Sequence, residues 1–235
     1  MNKNKLLNRE NELKENGNIT CKNKISGGLP MLEREMMNLL DSCYDKALEG
    51  VLPGERTVME LAEDYLGQSC SREKAIDNLI GYQTVLCGTN GFIAGLGGLL
   101  VLPVAIPANI TSVIYVQLRM IAAIAYINGY DIYSDQVRTI AYTCLTGSSA
   151  TNILKNVGIK IGEKMAVNAV KKIPVAVLVK INQQVGFRLV TKFGQKGLVN
   201  IGKMMPFVGG LIGGAFDTGM TLTIGNIAKK VFSEK

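Results

Sequence analysis

Arg119, Asp131 and Asp217 come nearest to residues that could do chemistry. Arg119 is the only charged side chain between Asn78 and Tyr130, and a guanidinium in so apolar a run needs a carboxylate opposite it. Asp131, in the sequence NGYD, and Asp217, alone in the C-terminal apolar region, are the two candidate partners. The same three residues would supply an acid and a cation to an enzyme acting on lipid or peptide. A buried ion pair or a helix cap explains them with less, so no catalytic residue is assigned. The chain contains no histidine, which excludes a histidine-based triad and removes the usual proton shuttle at neutral pH. Cys144, on an apolar helix face with no base near it in sequence, reads as a small buried hydrophobe.

A second constellation is positive. Residues 148–216 carry ten basic side chains against one acidic, Glu163, whereas residues 1–70 carry 9 basic and 12 acidic. Lys160, Lys164 and Lys171 share one side of a helical wheel, and Arg188, Lys192 and Lys196 follow at four-residue steps. Most charge runs are the solvated side of a bundle. Here the imbalance exceeds what solubility needs, and a polyanion is expected opposite residues 155–203. Anionic lipid head groups, worth about 1 kcal/mol per Lys or Arg near a membrane surface, fit better than nucleic acid, because the few aromatics are not interleaved with the charges.

These residues must be positioned by an apolar stretch, Gly88 to Asp131, around which the chain is organised. Its glycines Gly91, Gly95 and Gly98 have the spacing that lets a second helix approach closely. The string GFIAGLGG superficially resembles a nucleotide loop, but it follows a helix and lacks a phosphate-binding lysine. Pro103 and Pro107 interrupt the stretch, and Phe92–Leu102 is well short of the roughly 20 residues of a spanning helix. A helix from Pro107 to Asn128 is long enough to span. It holds Asn109, Gln117 and Arg119, and a central Arg costs about 2.5–3.5 kcal/mol on insertion scales, so a buried bundle helix is the preferred reading. Gly129 should end it as a left-handed cap.

Around this centre the 3.6-residue period and the capping residues predict further helices. One runs from Met31 to Gly50, one from Thr57 with a capping box to Glu60, one from Ser71 to Cys87, and one from Ser134 to Gly147. Another starts at Ser148 or Ser149, with Ile153, Val157, Ile161 and Met165 on one face. Pro174 opens the next. A closing segment holds Gly209, Gly210, Gly213 and Gly214. Residues 1–30, rich in Lys, Asn and Glu, read as a mobile polar tail. The expected fold is an all-α multi-helix bundle over residues 31–235, with two glycine-rich helical hairpins packed together at its core.

Five cysteines without a CxxC pair indicate neither a disulfide framework nor a zinc site, and a reducing cytoplasm fits them. The N-terminal residues lack the apolar core of a signal peptide. No metal or cofactor is expected. Met31, Met36, Met37, Met204 and Met205 would suit an adaptable lining, though Met at helical spacing is more often core.

The run PANITSVIYVQLRMIAAIAYINGYD, the preceding GFIAGLGG and the late MPFVGGLIGGAFDTG resemble the EcsC family of bacterial proteins, over about residues 70–233. The resemblance implies a predominantly helical protein, cytoplasmic or membrane-associated, and leaves the activity open. The family pattern often has Asp in the segment matching PANI and Asn near the closing glycines. Here the residues are Asn109 and Asp217, which weakens a catalytic role for a carboxylate at the first position. A more distant similarity to the lipid-associated senescence domain favours lipid handling by analogy alone. The expected function is non-enzymatic: peripheral association with anionic lipid at the inner face of the cell membrane, through the basic face. The alternative is an adaptor docking on an integral membrane protein such as an ABC transporter.

Overall fold

Local capping chemistry sets the helix ends. The computed structural model describes residues 31–51, 54–88, 108–159, 167–198 and 209–233. The N-terminal tail and the first glycine-rich segment, with Gly91, Gly95 and Gly98, lie outside them. The described elements are α1 (Met31–Glu49), α2 (Val58–Gly67), α3 (Arg72–Gly88), α4 (Ala108–Ile127), α5 (Asp135–Leu145), a 3-10 turn (Gly147–Ser149), α6 (Ala150–Asn156), α7 (Val167–Lys171), α8 (Val175–Leu198) and α9 (Gly209–Val231). The protein is all-α, with no strand among the described residues.

The Thr57 hydroxyl accepts from the Glu60 N–H at 3.2 Å while the Glu60 carboxylate accepts from the Thr57 N–H at 2.8 Å, the reciprocal pair that starts α2. Ser134 accepts from the Val137 N–H at the head of α5. At the end of α4, Gly129 adopts φ +79°; its N–H bonds the Tyr126 carbonyl, and the Tyr130 N–H reaches back to Ala125. This double closure satisfies carbonyls that a helix end otherwise leaves open.

α4 lies at the centre, packed by α1, α2, α3, α5 and α9. Ile110–Ile127 is long and apolar enough to cross a membrane by length and composition, and 89% of it is buried inside the protein. A helix surrounded by others is apolar on every side, which accounts for a spanning-like composition in a bundle core. Leu118, Met120, Ile121 and Ile124 are fully buried there, each contributing about 1.5–3 kcal/mol of burial. Gln117 is also buried and donates from Nε2 to Thr221 Oγ1 of α9 at 2.9 Å.

α9 is one continuous helix, and Gly209, Gly210, Gly213 and Gly214 form its first turns. Farther along it, Gly225 is where α9 presses on α3 and α4: a Cβ there would stand 2.8 Å from Ile80 and 3.2 Å from the Met120 sulfur. Lys229 closes the same helix pair with Asp77 at 2.6 Å and Glu73 at 3.2 Å. Met36 and Met37 are core residues of α1.

Candidate functional site

Arg119 does not meet Asp131. Its Nε lies 3.2 Å from Glu55 Oε1, Nη1 donates to the Ala47 carbonyl at 2.8 Å, and Nη2 donates to the Arg56 carbonyl. Glu55 in turn accepts from the Tyr115 hydroxyl and the Val51 N–H, both at 2.9 Å. A cation here offsets the negative end of α1, whose last carbonyls have no partner within the helix. Burial and the neighbouring Glu55 charge push the Tyr115 phenol well above its ordinary range. The charges are spent on joining α1, the loop after it and α4. Asp131 is exposed and accepts from the Tyr133 N–H at 3.1 Å, while the Asp217 side chain lies outside the described residues. The acid, acid and cation proposed from the sequence are therefore not assembled among the described residues.

A second buried arginine had no counterpart in the sequence reading. Arg138 of α5 donates to Asp45 Oδ1 at 2.5 Å, lies 3.6 Å from Asp41 Oδ1 and sits 4.9 Å over the Tyr44 ring. The Tyr142 hydroxyl donates to Asp41 at 2.6 Å. Burial works against the Arg138 charge, but Tyr142, Asp45 and Asp41 outweigh it and hold the guanidinium above its usual range. Asp41 and Asp45 are one helical turn apart, and two carboxylates so placed repel unless a cation faces them. That spacing was the available signal.

The basic run is divided differently from its periodicity. The helix that opens at Ala150 ends at Asn156, with Gly158 at φ +81°, its N–H on the Lys155 carbonyl and the Ile159 N–H on Leu154. The helix carrying Ile153 thus stops before Lys160, and Lys171 belongs to the separate α7. Glycine at the left-handed position outweighed an apolar period that continues past it. Lys160 and Lys164, and the side chain of Lys196, lie outside the described residues.

Lys171 and Arg188 are exposed, and Lys192 is partly buried. On α8 the exposed face carries Lys180, Phe187 and Arg188, with Phe187 58% accessible. Among the described residues, Lys171, Lys172, Lys180 and Arg188 form no ion pair, although α8 packs on the acidic helix α1. Lys192 Nζ donates to the Leu145 carbonyl at 2.9 Å, capping α5.

Arg188 and Lys192 meet at a cavity of about 650 Å³ between the Gly147–Ser149 turn, α8 and α9. Ser148, Ser149, Thr191, Gly219, Met220 and Thr223 complete most of its wall, and among the described residues no carboxylate lines it. Among the described residues no group of three or more Asp, Glu or Cys could hold a metal ion. The arrangement can attract and hold an anion.

The model of the EcsC protein family matches residues 4–234, nearly the whole chain. The match takes in the N-terminal residues as well as the segments that carried the resemblance. No curated protein and no solved structure matches the chain.

Proposed function

This chain belongs to the EcsC family, and we propose that it is a non-enzymatic protein that associates reversibly with anionic membrane surface through the basic face within residues 155–203. The single observation that carries the proposal is the series of exposed cations Lys171, Lys172, Lys180 and Arg188 along α7 and α8, which form no ion pair among the described residues, with Phe187 exposed next to Arg188. An aromatic ring enters the interface while the cations meet phosphates. Such a protein would act as a peripheral component on the cytoplasmic side of the membrane.

Co-sedimentation with vesicles tests it. Phosphatidylglycerol-containing vesicles should recover the protein, phosphatidylcholine vesicles should not, and high salt should release it. Replacing Lys171 and Lys180 together by Gln should weaken binding roughly 30-fold, at about 1 kcal/mol per charge. Equal recovery on neutral and anionic vesicles would remove the electrostatic reading.

A second reading, docking on an integral membrane protein, is favoured by a different surface. The register set by Asp77 with Lys229 and Ile80 with Gly225 brings the exposed Val85 of α3 level with the exposed Leu222 of α9. Val85→Asp with Leu222→Asp should leave vesicle binding intact and abolish recovery with a membrane-embedded partner.

A further inference from the structure

We infer that the cavity between the Gly147–Ser149 turn, α8 and α9 is a site for the phosphate-bearing head group of a single lipid molecule, an assignment that rests on the membrane reading above and gives it a specific ligand. The chemistry of the wall is divided. On one side stand the cations Arg188 and Lys192 and the hydroxyls of Ser148 and Ser149. On the other, α9 contributes Gly219, Met220 and Thr223. The Thr223 hydroxyl donates to the Gly219 carbonyl at 2.9 Å, the Thr191 hydroxyl to Phe187 at 2.8 Å and the Thr146 hydroxyl to Thr143 at 2.7 Å. Those three side chains have committed their protons to their own backbone. Donors for an anion are left to the turn and α8, while the α9 wall suits glycerol and the first methylenes of an acyl chain.

Capping α5 accounts for Lys192 but not for the rest. It does not require Arg188 or the hollow beside it. The bond from Lys192 to Leu145 holds the ammonium at the cavity wall before any ligand arrives, which lowers the ordering cost of binding. Gly147 holds the turn at φ +65°, a backbone conformation that side chains rarely adopt. The volume, about 650 Å³, lies in the range of about 300–1,000 Å³ that small-molecule sites occupy.

Gly219 supplies the test. A Cβ built on it meets nothing within 4 Å, so a side chain can start from this wall without a clash at its first atom, and Gly219→Phe is chosen to fill the cavity. The full chain is titrated calorimetrically with dihexanoyl phosphatidic acid below its micellar concentration, with sn-glycerol 3-phosphate and with inorganic phosphate. The expected result is one saturable site for the short-chain lipid, with the two soluble phosphates at least tenfold weaker. Gly219→Phe should abolish that binding and Arg188→Gln should weaken it at least tenfold, both with an unchanged melting temperature. Vesicle sedimentation of Gly219→Phe should stay as in the wild type. Lipid binding that survives Gly219→Phe, or a wild type with no saturable site, overturns the cavity assignment. Equal affinity for glycerol 3-phosphate overturns the lipid as its occupant. If the wild type binds the short-chain lipid at one site but ignores anionic vesicles, the surface reading falls and the cavity stands; if it binds the vesicles but shows no such site, the cavity falls and the surface reading stands.

Discussion

Arg119 Nε lies 3.2 Å from Glu55 Oε1, both side chains being largely shielded from water, and this contact ties the central helix to the loop that follows α1. A buried ion pair adds little over a well-packed apolar replacement, but half of one is costly, because the remaining charge has lost its partner. Arg119→Met is therefore expected to lower the unfolding free energy by about 3–5 kcal/mol. Adding Glu55→Gln should recover part of that loss. Urea titrations of the wild type, both single variants and the double variant measure the coupling. An additive cycle would show that the two side chains do not act as a pair.

The start of α2 should respond to acid. Glu60 is held below its ordinary value of 4.5, foremost by the Thr57 N–H and then by the Thr57 hydroxyl. The folded protein binds this proton less readily than the unfolded chain, so the contribution is present above the ordinary value and lost as pH falls through the folded one. Thr57→Ala should cost about 1 kcal/mol at neutral pH. The difference from wild type should narrow in urea titrations between about pH 7 and about pH 3. A gap that widens on acidification would reverse the assigned sign.

The parts of the fold that were legible in the sequence are those decided within one helical turn. Thr57 with Glu60, Ser134 with Val137, and Gly129 after α4 each form their bonds with residues a few places away, so spacing alone located them. The limits of α6 were misread because Ile153, Val157, Ile161 and Met165 keep a helical period across Gly158, and the glycine's left-handed conformation prevails over that period. Partners brought together by packing were not legible. Arg119 is expected near Asp131 or Asp217; it does not meet Asp131, the Asp217 side chain lies outside the described residues, and the carboxylate it does meet comes from a loop more than sixty residues upstream. The cavity depends on a turn, α8 and α9 converging, and no single stretch of sequence encodes that.

Thiol chemistry should separate the cysteines sharply. Burial pushes Cys43 and Cys144 up to about 12, and Cys87 is likewise buried, whereas Cys70 is exposed. Only a thiolate attacks readily, so the buried groups are protected both by access and by protonation. In a Cys21→Ser background, the native protein should take up one equivalent of a disulfide reagent at Cys70, and the unfolded protein four, one for each of Cys43, Cys70, Cys87 and Cys144. Fast native labelling at Cys144 would mean that α5 opens far more often than a core helix should.

Two glycines in helix interiors should respond to alanine with opposite signs. Gly81 in α3 is exposed, and a Cβ there meets nothing within 4 Å. Removing its extra backbone freedom should stabilise the fold by up to about 1 kcal/mol. Gly225 gains the same propensity from alanine, but its Cβ would press on Ile80 at 2.8 and 2.9 Å and on the Met120 sulfur at 3.2 Å. Ile80 and Met120 are themselves buried, so neither can move aside without disturbing the core. Overpacking of this kind costs about 1–3 kcal/mol, which leaves Gly225→Ala destabilising by about 1 kcal/mol once the propensity gain is subtracted. Thermal unfolding of the two variants against wild type decides it: Gly81→Ala should melt higher and Gly225→Ala lower. Gly225→Ala melting as high as Gly81→Ala would mean that α9 does not press on α3 as closely as the packing of Ile80 requires.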